Sequence, residues 1–249
     1  MENLKTTKDI FCVDGEYIEE RQALHADIIR MFINDAGENP EVGEKEAIIL
    51  GGGSGSGKSF VVEEILGIEG YVVVDSDKIK KVIPEYQEAR SLQDYRAADI
   101  VHGESSDISM ALLEYAAYAE RSLIYDGTMK NLPKYESIVY MLKDRGYTVQ
   151  LIIVDADVEV ALDRVKQRFA DPDDRRFVPE EIVRESNSLV ARTFIELRRL
   201  CDSYVIFNNS VNGEPPREIA FMDENEGEVI VDSEGYSTFL NKFKLPGFS

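Results

Sequence analysis

The sequence predicts an α/β fold, a mainly parallel sheet of five or more strands with helices on both faces. Three observations carry that expectation. Short apolar runs recur at 47–50, 71–75, 122–126, 148–155 and 203–208. The runs are apolar at consecutive positions rather than at alternate ones, as strands covered on both faces are. Helical patterns separate one run from the next, the alternation that builds parallel sheets. No internal repeat competes with this arrangement. The expected organisation is an N-terminal helical extension over 1–40, a main domain over 41–210, and an acidic C-terminal extension over 211–249 packed on or trailing from it.

Composition limits the partners. The 249 residues suffice for one large domain or two small ones. Lys and Arg number 28 against 48 Asp and Glu, a formal charge of −20. A surface that acidic repels nucleic acid backbones and anionic membranes, so neither is an expected partner. The two cysteines, Cys12 and Cys201, form no disulfide framework or metal-binding spacing. With no long apolar run and no signal-peptide pattern, the expectation is a cytoplasmic protein with reduced thiols.

Taken in order, the chain opens with a helical pattern in which Ile18, Leu24, Ile28, Ile29 and Phe32 fall near helical spacing. Asn34, Gly37, Asn39 and Pro40 end it, and His25 within it reads as a surface or core histidine rather than a ligand. A charged link leads to the strand Ala47-Ile48-Ile49-Leu50 and a glycine-rich bend. Gly52, Gly53, Ser54, Gly55, Ser56, Gly57, Lys58 and Ser59 match G-x-x-x-x-G-K-[ST] in full, with an apolar helical start at Phe60, Val61, Ile65 and Leu66 behind them. Glycines at such a bend let successive backbone N–H groups turn inward, and a helix N-terminus adds partial positive charge. That is a polyphosphate cradle, with Lys58 placed for the β- and γ-phosphates and the Ser59 hydroxyl for Mg²⁺. The chain is therefore expected to bind a nucleoside triphosphate.

The second strand, 71–75, stops at Asp75-Ser76-Asp77, where a helix starts. Acids at the carboxyl end of such a strand lie where ligands bind. One of the pair is expected to cap the helix or stand behind the site, and the other to face the substrate. Residues 85–104 read as short helices or an insertion over the site, followed by a helix from Ser106 to Ala119 with Ser105 or Ser106 as its cap. The third strand ends in Asp126-Gly127-Thr128, where an acid can hold Mg²⁺ or its water, with a plain strand-end turn as the alternative. Helices follow at 133–145, after Asp157, and from Pro179 to about 200. Arg164 and Arg168 share one helix face, and the loop Asp171 to Arg176 is charged, either a solvated loop or a source of guanidinium groups for a phosphate. Beyond 211 a hairpin is expected, with 228–232 as its best strand.

The segments GGGSGSGKS (51–59), VVVDSDKIKKVIPEY (72–86), VHGESSDIS (101–109), LIYDGT (123–128), and QRF followed by RRFVP (167–179) together resemble the zeta toxin family of P-loop kinases. They cover most of 47–200 in the family's order. The resemblance implies an ATP- and Mg²⁺-dependent phosphotransferase acting on an alcohol group, in the best-known members that of a UDP-N-acetylhexosamine. It implies Asp77 as general base and Arg168 and Arg176 as phosphate-clamping arginines. It puts Asp75, Asp126, Thr128 and Glu104 at the acceptor, with Ser59 and Asp126 toward the metal. Asp126 stands where many members have glutamate, one carbon longer. A protein antitoxin is a candidate partner by the same resemblance. The competing reading is a nucleotide-gated interaction protein in which Asp77 merely caps a helix and the acidic stretch 214–234 is the partner surface.

Overall fold

The computed structural model describes residues 4–39, 45–171, 177–223 and 227–244. A short helix α1 (Thr7–Phe11) and a small hairpin of β1 (Cys12–Val13) and β2 (Glu16–Tyr17) precede helix α2 (Glu19–Asp35). Then come β3 (Glu46–Gly51), the glycine bend, and α3 (Lys58–Phe60), which runs on as a wider π-type turn over Val61–Leu66. Next are β4 (Val72–Asp75), α4 (Ser76–Lys80), α5 (Pro84–Ser91), α6 (Ala97–Ile100), α7 (His102–Tyr118) and β5 (Leu123–Asp126). The chain continues through α8 (Leu132–Asp144), β6 (Thr148–Asp155), α9 (Val158–Ala170), α10 (Glu180–Leu197) and β7 (Ser203–Asn208). It finishes with β8 (Arg217–Asp223), β9 (Gly227–Ile230) and α11 (Ser233–Asn241).

Seven strands form one sheet in the order β4-β5-β3-β6-β7-β8-β9. The first five pair in parallel and are the five apolar runs seen in the sequence. β7–β8 and β8–β9 pair antiparallel. The expected hairpin is thus present, but its first strand, Arg217–Asp223, escaped notice because charged residues bracket its apolar centre. The small hairpin before α2 was also not foreseen, since two-residue strands carry no periodicity.

Alternate residues of the strands feed two cores. Ala47, Ile49, Val74, Tyr125, Leu151 and Ile153 face the larger one, which also takes Ile28 of α2, Leu112 of α7, Ile138 of α8 and Phe194 of α10. Ile48, Leu50, Ile124, Ile152 and Val154 face the other side, against Val61 and Val62. This two-sided burial is why the strands read as continuous apolar runs. Among the described residues no helix is long and apolar enough to cross a membrane.

Helix α7 begins at His102, four positions before the expected start. Ser105 and Ser106 therefore lie inside the helix and cap nothing. The Ser105 hydroxyl donates to the His102 carbonyl at 3.0 Å.

Candidate active site

Register brings the carboxyl ends of three strands level. Leu50 of β3 pairs with Asp126 of β5, and Asp126 pairs with Asp75 of β4. The glycine loop leaving β3 therefore lies beside both acids, in the crevice where open α/β sheets bind ligands.

The loop is shaped by its glycines and held by side chains from distant elements. Gly55 and Gly57 have φ of +80° and +93°, and a Cβ there would lie 2.3 Å from the Ala161 carbonyl oxygen and 2.2 Å from Asn209 Nδ2. Both reasons restrict these positions to glycine. Asn209 Nδ2 donates to the Ser56 carbonyl at 2.8 Å. Arg164 of α9 reaches the Gly55 and Ser56 carbonyls at 3.3 and 3.4 Å while its Nε donates to Asn212. Ser54 N–H donates to Ser186 Oγ at 3.1 Å, and Asn187 Nδ2 donates to the Ser54 carbonyl at 3.1 Å. Of these braces only Arg164 drew notice in the sequence, through its spacing with Arg168. Single serines and asparagines far along the chain carry no motif. Lys58 Nζ donates to the Gly52 carbonyl at 2.7 Å, across the mouth of its own loop. Ser59 is exposed at the start of α3.

Asp75 takes the capping role: it is the N-cap of α4, and its Oδ1 accepts the Asp77 N–H at 2.8 Å. Asp77 sits half exposed in the first turn, where Lys80 Nζ, from a nearly buried side chain, donates to its Oδ1 at 2.9 Å. Burial pushes the Asp75 carboxyl above the usual carboxylate range, and the nearby Asp77 charge adds to the effect. Burial also lifts Asp126, to about 6; Lys58 opposes the rise, while Asp75 and Asp77 reinforce it. Three carboxylates and the loop lysine thus share one electrostatic neighbourhood, the pattern of a functional cleft.

Behind Asp126, Gly127 lies against Tyr135: a Cβ there would be 2.1 Å from the phenol oxygen. The same oxygen accepts the Met129 N–H at 3.0 Å. Met129 is buried at φ +53°, a strained backbone for a non-glycine residue. Half-buried Thr128 lies between these two anchors.

Other expected site residues fall elsewhere. Glu104 is fully buried on the N-terminal turn of α7 and belongs to an ion network rather than a ligand surface. Arg21 of α2 donates to both of its oxygens, and His25 Nε2 lies 2.6 Å from its Oε1. Arg21 also donates to both oxygens of Glu85, at 2.8 and 2.7 Å. With its lone pairs taken within the protein, Glu104 is corrected from an acceptor ligand to an anchor of α2. Burial alone would raise its carboxyl, but hydrogen bonds from His25 and Arg21 bring it down to about 2. Arg168 is exposed on α9, one turn beyond Arg164. Arg176 lies outside the described residues.

Among the described residues no group of three or more His, Cys, Asp or Glu is placed to hold a metal ion. Mg²⁺ would be held by the Ser59 hydroxyl and the Asp126 carboxylate, the donors expected from the sequence. That set suits a cation that takes most of its ligands from phosphates and water.

A parallel sheet with a glycine-lysine-serine loop at its carboxyl edge defines a P-loop nucleotide-binding protein. A family model described as Zeta toxin matches residues 32–225, and the chain belongs to the zeta toxin family. It is similar to the calmodulin calcium-dependent NAD kinase of Arabidopsis thaliana, 24% identical over 240 residues, covering 75% of this chain and 44% of that protein. It is also similar to toxin PezT of Streptococcus pneumoniae serotype 4, 24% identical over 144 residues, covering 54% of this chain and 56% of that one. The chain spans about half the length of these curated relatives. The solved structure of AvrRxo1-ORF1:-ORF2 with ATP shares the fold, with a TM-score of 0.74 at 19% identity over 98% of this chain and 84% of that one.

Proposed function

We propose that the chain is an ATP- and Mg²⁺-dependent small-molecule kinase that moves the γ-phosphoryl group of ATP to a hydroxyl, with a nucleotide sugar such as UDP-N-acetylglucosamine as acceptor. The observation that carries this is the gathering of the Lys58 loop, Asp77 and Asp126 at the level ends of β3, β4 and β5. In this reading the loop N–H groups and Lys58 bind the phosphates and orient the γ-phosphoryl group. Asp77 takes the proton of the attacking hydroxyl as the new O–P bond forms and ADP leaves. Lys80 holds the Asp77 carboxylate in place by its hydrogen bond to Oδ1. Ser59 and Asp126 would hold Mg²⁺, which supplies charge neutralisation on the phosphate oxygens. Thr128 would contact the acceptor or its phosphate, and the family resemblance gives Arg168 and Arg176 the role of clamping the migrating group.

Family membership supports the reaction class. A second acceptor, NAD, is favoured by the relative that covers the larger share of this chain, an NAD kinase. Both acceptors present a nucleotide-linked sugar hydroxyl. A protein antitoxin as partner is part of the same proposal, and the charge of −20 argues against nucleic acid or an anionic membrane.

The test is ADP release by the purified chain with Mg²⁺-ATP alone, with UDP-N-acetylglucosamine, and with NAD, the product being identified by mass. Stimulation by one of them names the acceptor. ATP binding with no stimulation by any nucleotide sugar or dinucleotide favours the gated binder instead.

A further inference from the structure

We infer that Asn187 is a positioning residue for ATP: from α10 it sets the backbone of the Gly53–Ser54 stretch of the phosphate loop. Its side chain is buried, only 1% exposed, on a helix that also buries Val183, Ser186, Val190, Ala191 and Phe194. A polar side chain there costs free energy unless it is bonded, and an apolar one would pack as well. What the amide does is grip the loop. Its Nδ2 donates to the Ser54 carbonyl at 3.1 Å and to the Val183 carbonyl at 2.8 Å. The preceding residue, Ser186, accepts the Ser54 N–H on its hydroxyl at 3.1 Å and donates to Val183. Both backbone polar groups of Ser54 are thus tied to one turn of α10.

Shape agrees with bonding. A Cβ on Gly53 would lie 2.2 Å from Asn187 Cγ and within 2.5 Å of both its terminal atoms, so the amide occupies the space a side chain at 53 would need. Asn187 Oδ1 is buried with no hydrogen-bond partner, as is Ser56 Oγ in the loop itself. Unpaired buried polar atoms are tolerated where another duty keeps the residue. Here that duty is to hold a loop whose N–H groups must stay turned toward the phosphates.

Because this rests on the ATP half of the proposed reaction alone, it is tested by binding and needs no acceptor. The dissociation constant for ATP is measured by calorimetry on the full chain, with thermal melting as the folding control. Asn187→Ala is expected to melt as a folded protein and bind ATP about tenfold more weakly, the loss of a hydrogen bond that orders the loop. Gly53→Ala is expected to weaken ATP about a hundredfold, since backbone and amide cannot share the space. The double variant Gly53→Ala/Asn187→Ala is expected to bind more tightly than Gly53→Ala alone, because the second change removes the clash. The recovery reports the contact between Asn187 and residue 53, and the loss in Asn187→Ala alone reports the hydrogen bond. A folded Asn187→Ala with wild-type affinity, or a double variant no better than Gly53→Ala, overturns the assignment. If Asn187→Ala does not fold, Ser186→Ala decides: about threefold weaker binding supports the grip from α10, and unchanged binding defeats it. A wild-type chain that binds no ATP defeats the kinase reading itself, an outcome distinct from the others.

Discussion

The phosphate loop is one contiguous stretch, residues 51–59, braced from outside by Arg164, Ser186, Asn187 and Asn209. The ground beside Asp77 is assembled differently. Its helices α5 and α7 are tied to α2 by Arg21, which meets Glu85 and Glu104 across 64 and 83 residues of sequence. One side of the site is backbone geometry, written in glycines. The ground behind the other is held by a buried charge network, written in residues that have no local pattern. Backbone cradles tolerate little change in the loop itself, whereas charge networks fail by unfolding the element they hold. The two sides should therefore break differently, one in binding and the other in stability.

The largest effect is expected at the network. Glu104→Ala leaves the Arg21 guanidinium without its buried partner and should cost about 3–5 kcal/mol of unfolding free energy. Chemical denaturation measures it; an unchanged midpoint would remove the distinction drawn above. Asp77→Asn should lower turnover about 10²-fold, or about 2.7 kcal/mol of barrier, while ATP binding measured by calorimetry stays as it was. Lys58→Ala should lose both turnover and ATP affinity, the latter by the worth of a charged hydrogen bond, about 1.5–3 kcal/mol, with the melting temperature little moved.

Acid should weaken the network. Glu104 titrates near 2 in the fold, below its ordinary value of 4.5. A depressed carboxyl stabilises the fold in full above its unfolded value and loses that contribution as pH falls through its folded one. Stability should thus decline from about pH 4.5 toward 2, and the decline should be shallower in Glu104→Gln. Followed by circular dichroism, parallel curves for the two chains would count against the network. The smallest effect is expected at an exposed pair such as Arg30 with Asp27, where Arg30→Ala should change stability by less than about 0.5 kcal/mol.

The contrast explains what could be read from residues alone. Five parallel strands were plain because burial on both faces leaves unbroken apolar runs such as Leu151 to Val154. The loop was plain because close approach and positive φ admit little but glycine. The start of α7 was misplaced because His102-Gly103-Glu104-Ser105 looks like a solvated turn until Arg21 arrives from α2 to bury Glu104. Glu104, placed at the acceptor by the family resemblance, is instead buried against Arg21 and His25. Which of Asp75 and Asp77 caps α4 depended on a single hydrogen bond, Asp77 N–H to Asp75 Oδ1, that spacing cannot choose. Asn187 and Asn209 were invisible because an asparagine signals nothing until its carbonyl partner is beside it.

One consequence follows from Asn209, whose amide holds the Ser56 carbonyl across 153 residues of chain. A nascent polypeptide exposes the glycine loop early, but that loop lacks the last of its braces until β7 has been made and docked. Tight nucleotide capture should then come late in biogenesis, once the chain has folded through Asn209. A bound nucleotide in turn favours the completed fold over any partial one by mass action. ATP would act as a reporter of finished folding as well as a phosphoryl donor, and a chain truncated after β6 should bind none.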